Sequence, residues 1–105
     1  MINFNLEPQL KSEWEPILIR QLRILLSPVL TNIKTGSIHF YVQVDLSRGE
    51  SYYCCEFQGD GYNQEIYYAF TQNMDGRIAI RDALSRIRRA VIHKSQHAML
   101  RSKIA

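Results

Sequence analysis

Three segments between Ile38 and Gln72 alternate apolar and polar residues, with turn signals between them. A strand sends successive side chains to opposite faces, so this alternation calls for a sheet with one face buried. In the first segment Ile38, Phe40, Val42 and Val44 share one face. "SRGE" (Ser47–Glu50) reads as a turn. "SYYCCEFQ" follows, with Tyr53, Cys55 and Phe57 on one face. "GDGYN" (Gly59–Asn63) is a hairpin signal, because its glycines allow positive φ. "QEIYYAFTQ" then places Ile66, Tyr68 and Phe70 together. Connections this short predict an antiparallel meander. Its outer face would show His39, Tyr41, Gln43, Tyr52, Cys54, Glu56 and Tyr67.

The flanks complete a domain. Ile2, Phe4 and Leu6 alternate with polar residues and predict a first strand that Pro8 stops. Ser12 followed by Glu15 is a capping box with Ser12 as N-cap, although Pro16 also allows a start near Glu15. Ile17, Leu18, Leu22, Leu25 and Leu26 form the helical stripe, and Ser27-Pro28 ends it. Thr31 to Ser37, with Lys34 and Gly36, reads as a loop. Asn73 or Asp75 can cap a second helix running to about Leu100, whose stripe is Ile80, Ala83, Leu84, Ile87, Ala90, Val91 and Ala98. The predicted fold is a single α+β domain over 1–105, a two-layer β-α-β-β-β-α sandwich. Its four-stranded, mostly antiparallel sheet carries both helices on one face.

Charge divides the chain. Residues 1–75 hold five Lys/Arg against nine Asp/Glu, a net of −4, and residues 76–105 hold eight against one, a net of +7. Such asymmetry points to an anionic partner for the basic segment. On the wheel of the second helix Arg77, Arg81 and Arg88 form one flank, Arg86, His93 and His97 the other, and Arg89 points straight out. Asp82 is its one acid, where an ordinary solvated face would mix charges. Arginine outnumbers lysine there, and its planar fork suits bidentate phosphate contacts and base stacking. Membrane binding would want large apolar groups beside the charges, and here those fall mostly on the core stripe.

Other chemistries find little support. Cys54 and Cys55 are adjacent, so on a strand they point to opposite faces and are poorly placed to bridge each other. With no CxxC motif and no second pair, they give no metal signature. His93 and His97 have zinc spacing but no evident third ligand. There is no phosphate loop, nucleophile elbow or paired-carboxylate constellation. The expectation is a non-enzyme without cofactor or metal. No apolar run approaches the roughly 20 residues of a membrane span, and "MINFNLEP" lacks the pattern of a signal peptide. A soluble cytoplasmic protein is expected. A homodimer through the tyrosine-bearing outer sheet face is an alternative use of that surface.

Four stretches together resemble one family. They are "MINFNLE", "SEWEPILIRQLRILL", "SIHFYVQVD" and "NMDGRIAIRDALSRIRRAVIHK". They resemble the opening strand, first helix, second strand and basic final helix of the ribosome hibernation promoting factors. These are also called ribosomal subunit interface or sigma-factor-modulation proteins, and the chain resembles their short form. The resemblance implies a stationary-phase translation silencer that occupies the decoding channel of the small ribosomal subunit and contacts 16S rRNA phosphates. It implies basic contacts at Arg86, Arg89 and His93, with Arg23 on the first helix and Lys94 beside a typical basic position. With Arg77, Arg81 and Arg88 these make up the expected RNA-binding set. The meander and final helix also resemble double-stranded-RNA-binding domains, which lack the first strand.

Overall fold

The structure is a computed structural model describing residues 2–104, with side chains described as far as Lys94. The chain runs β1 (Ile2–Leu6), α1 (Pro8–Leu26), a 3-10 segment (Ser27–Asn32), β2 (Ile33–Asp45), β3 (Glu50–Gly61), β4 (Ile66–Asn73) and α2 (Gly76–Ile104). This is the expected α+β order. The sheet order is β1-β2-β3-β4, with β1 parallel to β2 and the other pairs antiparallel. Both helices pack on the same face. The expected stripe position Ala98 and flank residue His97 lie outside the described side chains.

α1 begins earlier than the capping box suggested. Glu7 is its N-cap and Pro8 opens it, because proline's fixed φ and missing N–H cost nothing in a first turn. Ser12 therefore lies inside the helix. Pro16 also sits inside, on the exposed side, where the carbonyl it leaves unpaired can meet water. The longer helix brings in Trp14, which is buried with Leu18 and Leu26, while Ile17, Leu22 and Leu25 are partly buried. The Trp14 ring lies 5.0 Å from Phe40 and 4.9 Å from Tyr53, centre to centre.

The expected loop at Thr31 to Ser37 is also corrected. The strand starts at Ile33, with an irregular register between Ile33 and Thr35. Ile33 is buried, and Gly36 pairs with both Ile2 and Gly59. A polar, glycine-bearing stretch thus serves as a strand because it has neighbours on both sides.

The third correction concerns β4. Tyr67, Ala69 and Thr71 face the core, and Ile66 and Tyr68 are exposed. This reverses the expected face. The expected hairpin glycines lie within β3, and the turn uses Asn63 and Gln64, both at positive φ. A turn with two positive-φ central residues matches the strand twist. Displacing the turn shifts the phase of β4, and a one-residue slip sends every side chain to the other face. Gly61 leaves the slot that the Tyr67 ring fills; a Cβ on Gly61 would stand 2.8 Å from that ring. Small Ala69 and Thr71 admit α2, and the Thr71 hydroxyl donates to the Ala79 carbonyl at 2.5 Å.

α2 seats Ile80, Ala83, Leu84, Ile87 and Val91 on the sheet, all essentially without exposure. Burying each large aliphatic contributes roughly 1.5–3 kcal/mol as an upper bound. Ala79, not expected on the stripe, is equally buried, and Ala90 is half-buried. This stripe fixes the rotation of α2 and so decides which basic residues face outward.

Candidate nucleic-acid interface

The start of α2 is held by its cap. Asp75 Oδ1 accepts the Arg77 N–H at 2.9 Å, and Asn73 Oδ1 accepts the Asp75 N–H at 2.8 Å. Asp75 is therefore the N-cap, and Asn73 orders the approach to it. From this start the seated stripe turns Arg77, Arg81, Arg86, Arg89 and His93 to the exposed side, with Arg88 half-buried. Arg81 Nε is 3.7 Å from Asp82 Oδ1, and both side chains are about half exposed. A pair that open is worth about 0–1 kcal/mol and does not withdraw Arg81 from other partners. Arg89 Nε donates to the Ser85 carbonyl one turn back at 3.4 Å, which lays its side chain along the helix.

The flank over β4 behaves differently. β4 is an edge strand, so alternate carbonyls point away from the ladder. Arg86 Nη1 donates to the Phe70 carbonyl at 3.1 Å, and Lys94 Nζ donates to the Ile66 carbonyl at 3.0 Å. Lys94 Nζ also pairs with Glu65 Oε2 at 2.8 Å and lies 4.8 Å from the centre of the Tyr67 ring. Burial, then the Glu65 charge, raise the Tyr67 hydroxyl above its ordinary pKa, and Lys94 opposes them. Lys94 continues the buried stripe after Ile87 and Val91, so its stem runs along the core and its charge serves the sheet edge. Among the described residues, part of the Arg86 fork stays free. Lys94, expected among the RNA contacts, is engaged internally.

α1 adds to the basic surface. Arg20 and Arg23 are exposed on its outward side. With Lys11, Ser12, Glu15, Pro16, Ile19 and Ile24 they line an open hollow of about 830 Å³. Lys11 Nζ is 3.9 Å from Glu15 Oε2, which leaves the two arginines as the net charge of the hollow. Arg20 was not among the expected residues; its spacing of one helical turn from Arg23 was the available signal. The strand directions make α1 and α2 run the same way. Trp14 of α1 packs against Gly76 at the start of α2. From there Arg23 is as far along α1 as Ser85 is along α2. The Arg81–Arg88 flank, opposite the one that reaches β4, lies toward α1. Both helices thus carry exposed arginines on the solvent side of the helical layer.

The outer sheet face has the opposite character. Its paired positions form rows such as His39–Glu56–Phe70 and Ser37–Gln58–Tyr68. Tyr68 donates its hydroxyl to Glu56 Oε2 at 2.9 Å, and Tyr52 donates to Glu50. These bonds, followed by burial, raise both phenol pKa values. Asp45, Glu50, Glu56 and Asp60 occupy paired positions on this face, and no Lys or Arg does. It repels phosphate.

No known protein family matches this chain, and no curated protein matches it. Its chemistry rests on the residues themselves. The two thiols are free and buried on opposite sides of β3, Cys55 in the core and Cys54 behind Tyr41 and Gln43. Burial pushes Cys55 up to about 12 and raises Cys54. Neither supplies thiolate near neutral pH. Among the described residues no group of His, Cys, Asp and Glu could hold a metal ion, and no helix is long and apolar enough to cross a membrane.

Proposed function

We propose that this chain is a non-catalytic, cytoplasmic RNA-binding factor that silences translation by placing its arginine surface in the decoding channel of the small ribosomal subunit. The observation that carries this reading is the outward face of α2, where Arg77, Arg81, Arg86, Arg88 and Arg89 stand with a single acid, Asp82. Arg20 and Arg23 extend it across α1. Guanidinium forks on two rigid helices can grip backbone phosphates in two directions, and they need no exposed bases. Charge alone names a polyanion. The resemblance in the opening strand, first helix and basic final helix selects ribosomal RNA among polyanions. β1, which a double-stranded-RNA-binding domain lacks, favours that choice.

Sucrose-gradient sedimentation of lysate from stationary cells tests it. The protein is expected with 30S and 70S particles at low salt and at the top of the gradient at high salt, since released counterions drive phosphate binding. Sedimentation at the top under both conditions overturns the reading.

A further inference from the structure

The molecule has two chemically complementary sides. The helix layer is basic with apolar ground beside its charges: Arg81 and Arg89 stand exposed on α2, and on α1 Arg20 and Arg23 line a hollow with Ile19 and Ile24, the latter 56% exposed. The outer sheet face is acidic with apolar ground of its own. Ile66 is 70% exposed and Tyr68 55%, beside Glu56 and Asp60. Tyr68 and Glu56, joined by their 2.9 Å bond, set an aromatic ring next to a carboxylate. An arginine fork can stack on such a ring while bonding such a carboxylate.

From these features we infer that the protein self-associates head to tail, the sheet face of one copy docking on the arginine surface of the α-helical layer of the next. Charge selects this arrangement over a two-fold one. Sheet against sheet would oppose Glu56 and Asp60 with their own copies, and helix layer against helix layer would oppose arginines. Size permits it. Strands about 4.8 Å apart and about 3.3 Å per residue give a four-stranded face on the order of 600 Å², near the ~800 Å² per partner of a standard interface. A contact of that area, with charged rather than apolar centres, is weak and salt-dependent. A heterologous contact also repeats, so copies add in a line rather than closing as a pair. The contact covers the same arginines that the proposed function assigns to RNA, so self-association and RNA binding exclude each other. RNA would disperse the oligomer.

The test uses the full chain without RNA, by sedimentation equilibrium across protein concentration at about 0.05 M and about 0.5 M salt. Mass rising with concentration at low salt and falling to the monomer at high salt is expected. Two variants then locate the contact, each checked by its melting curve: Arg81→Ala with Arg89→Ala, and Glu56→Gln with Asp60→Asn. Each variant alone should be monomeric, having lost one of the two surfaces. Mixed, they should form a one-to-one dimer that grows no further, because each retains the surface the other lacks. A wild-type monomer under all conditions overturns the inference. So does a Glu56→Gln/Asp60→Asn variant that associates more strongly, the result for sheet-to-sheet pairing, and so does a mixture that stays monomeric. Ribosome binding of the Glu56→Gln/Asp60→Asn variant is measured separately, at a protein concentration too low for self-association, and should there equal that of the wild type, so failure of the self-contact leaves the RNA reading standing, and the reverse.

Discussion

Trp14 lies directly over Gly76: a Cβ on that glycine would stand 2.5 Å from Cη2 of the indole. The contact joins the middle of α1 to the first residue of α2, and the ring is held from behind by Phe40 and Tyr53. Helix propensity alone would make Gly76→Ala stabilising by up to about 1 kcal/mol. A rigid, packed ring cannot yield the space, and overpacking typically costs about 1–3 kcal/mol. The clash should win, and the melting temperature of Gly76→Ala should fall. A rise in melting temperature would show that the indole moves freely.

Lys94 and Arg89 should separate stability from binding. Lys94→Ala removes the Glu65 pair and the bond to the Ile66 carbonyl, both partly exposed, and should cost about 0.5–1.5 kcal/mol. Its effect on rRNA affinity at about 0.1 M salt should be small. Arg81→Ala with Arg89→Ala should do the reverse, leaving the melt unchanged and making binding both weaker and less salt-dependent, by roughly one counterion per lost phosphate contact. Paired melting curves and salt titrations read both effects. Unchanged affinity in the double arginine variant would return that face to a solubilising surface.

The two adjacent tyrosines of β4 give a sharp contrast. Tyr67 is 4% exposed and Tyr68 55%. Tyr67→Ala should cost about 3–5 kcal/mol, as for other buried aromatics. Tyr68→Ala should cost under about 1 kcal/mol, mainly the loss of an exposed bond to Glu56. Denaturant midpoints of the two variants check the assignment of faces, and equal costs would contradict it.

Cys55 predicts a pH dependence. Its folded pKa, about 12, lies above the ordinary thiol value of 9.0. Above pH 9 the unfolded chain loses this proton first, so the folded state binds more protons and stability falls as pH rises. The Cys55 contribution is fully present below pH 9 and is lost progressively from there toward pH 12. Cys55→Ala should be less stable at neutral pH and show a shallower decline in alkali than the wild type. Parallel declines in urea melts across that range would remove Cys55 as the cause.

Local pattern was enough for much of this protein. Alternation at Ile38–Phe40–Val42 and Tyr53–Cys55–Phe57 placed two strands and their faces, because each segment carries its own period. The Ile80–Leu84–Ile87–Val91 stripe placed α2 and, by exclusion, its outward arginines. The face of β4 was not legible. "IYYAFTQN" has large apolar groups in both phases, and the choice fell to a slot at Gly61 that another strand supplies. The fate of Lys94 was not legible either. In sequence it is one more cation of a basic helix; in the fold it stands over a strand edge whose unpaired carbonyls and Glu65 claim its charge. Periodicity is local and shows in the chain. Which of two plausible faces is buried, and which charge is left free, depend on what lies opposite, and only tertiary packing puts anything opposite.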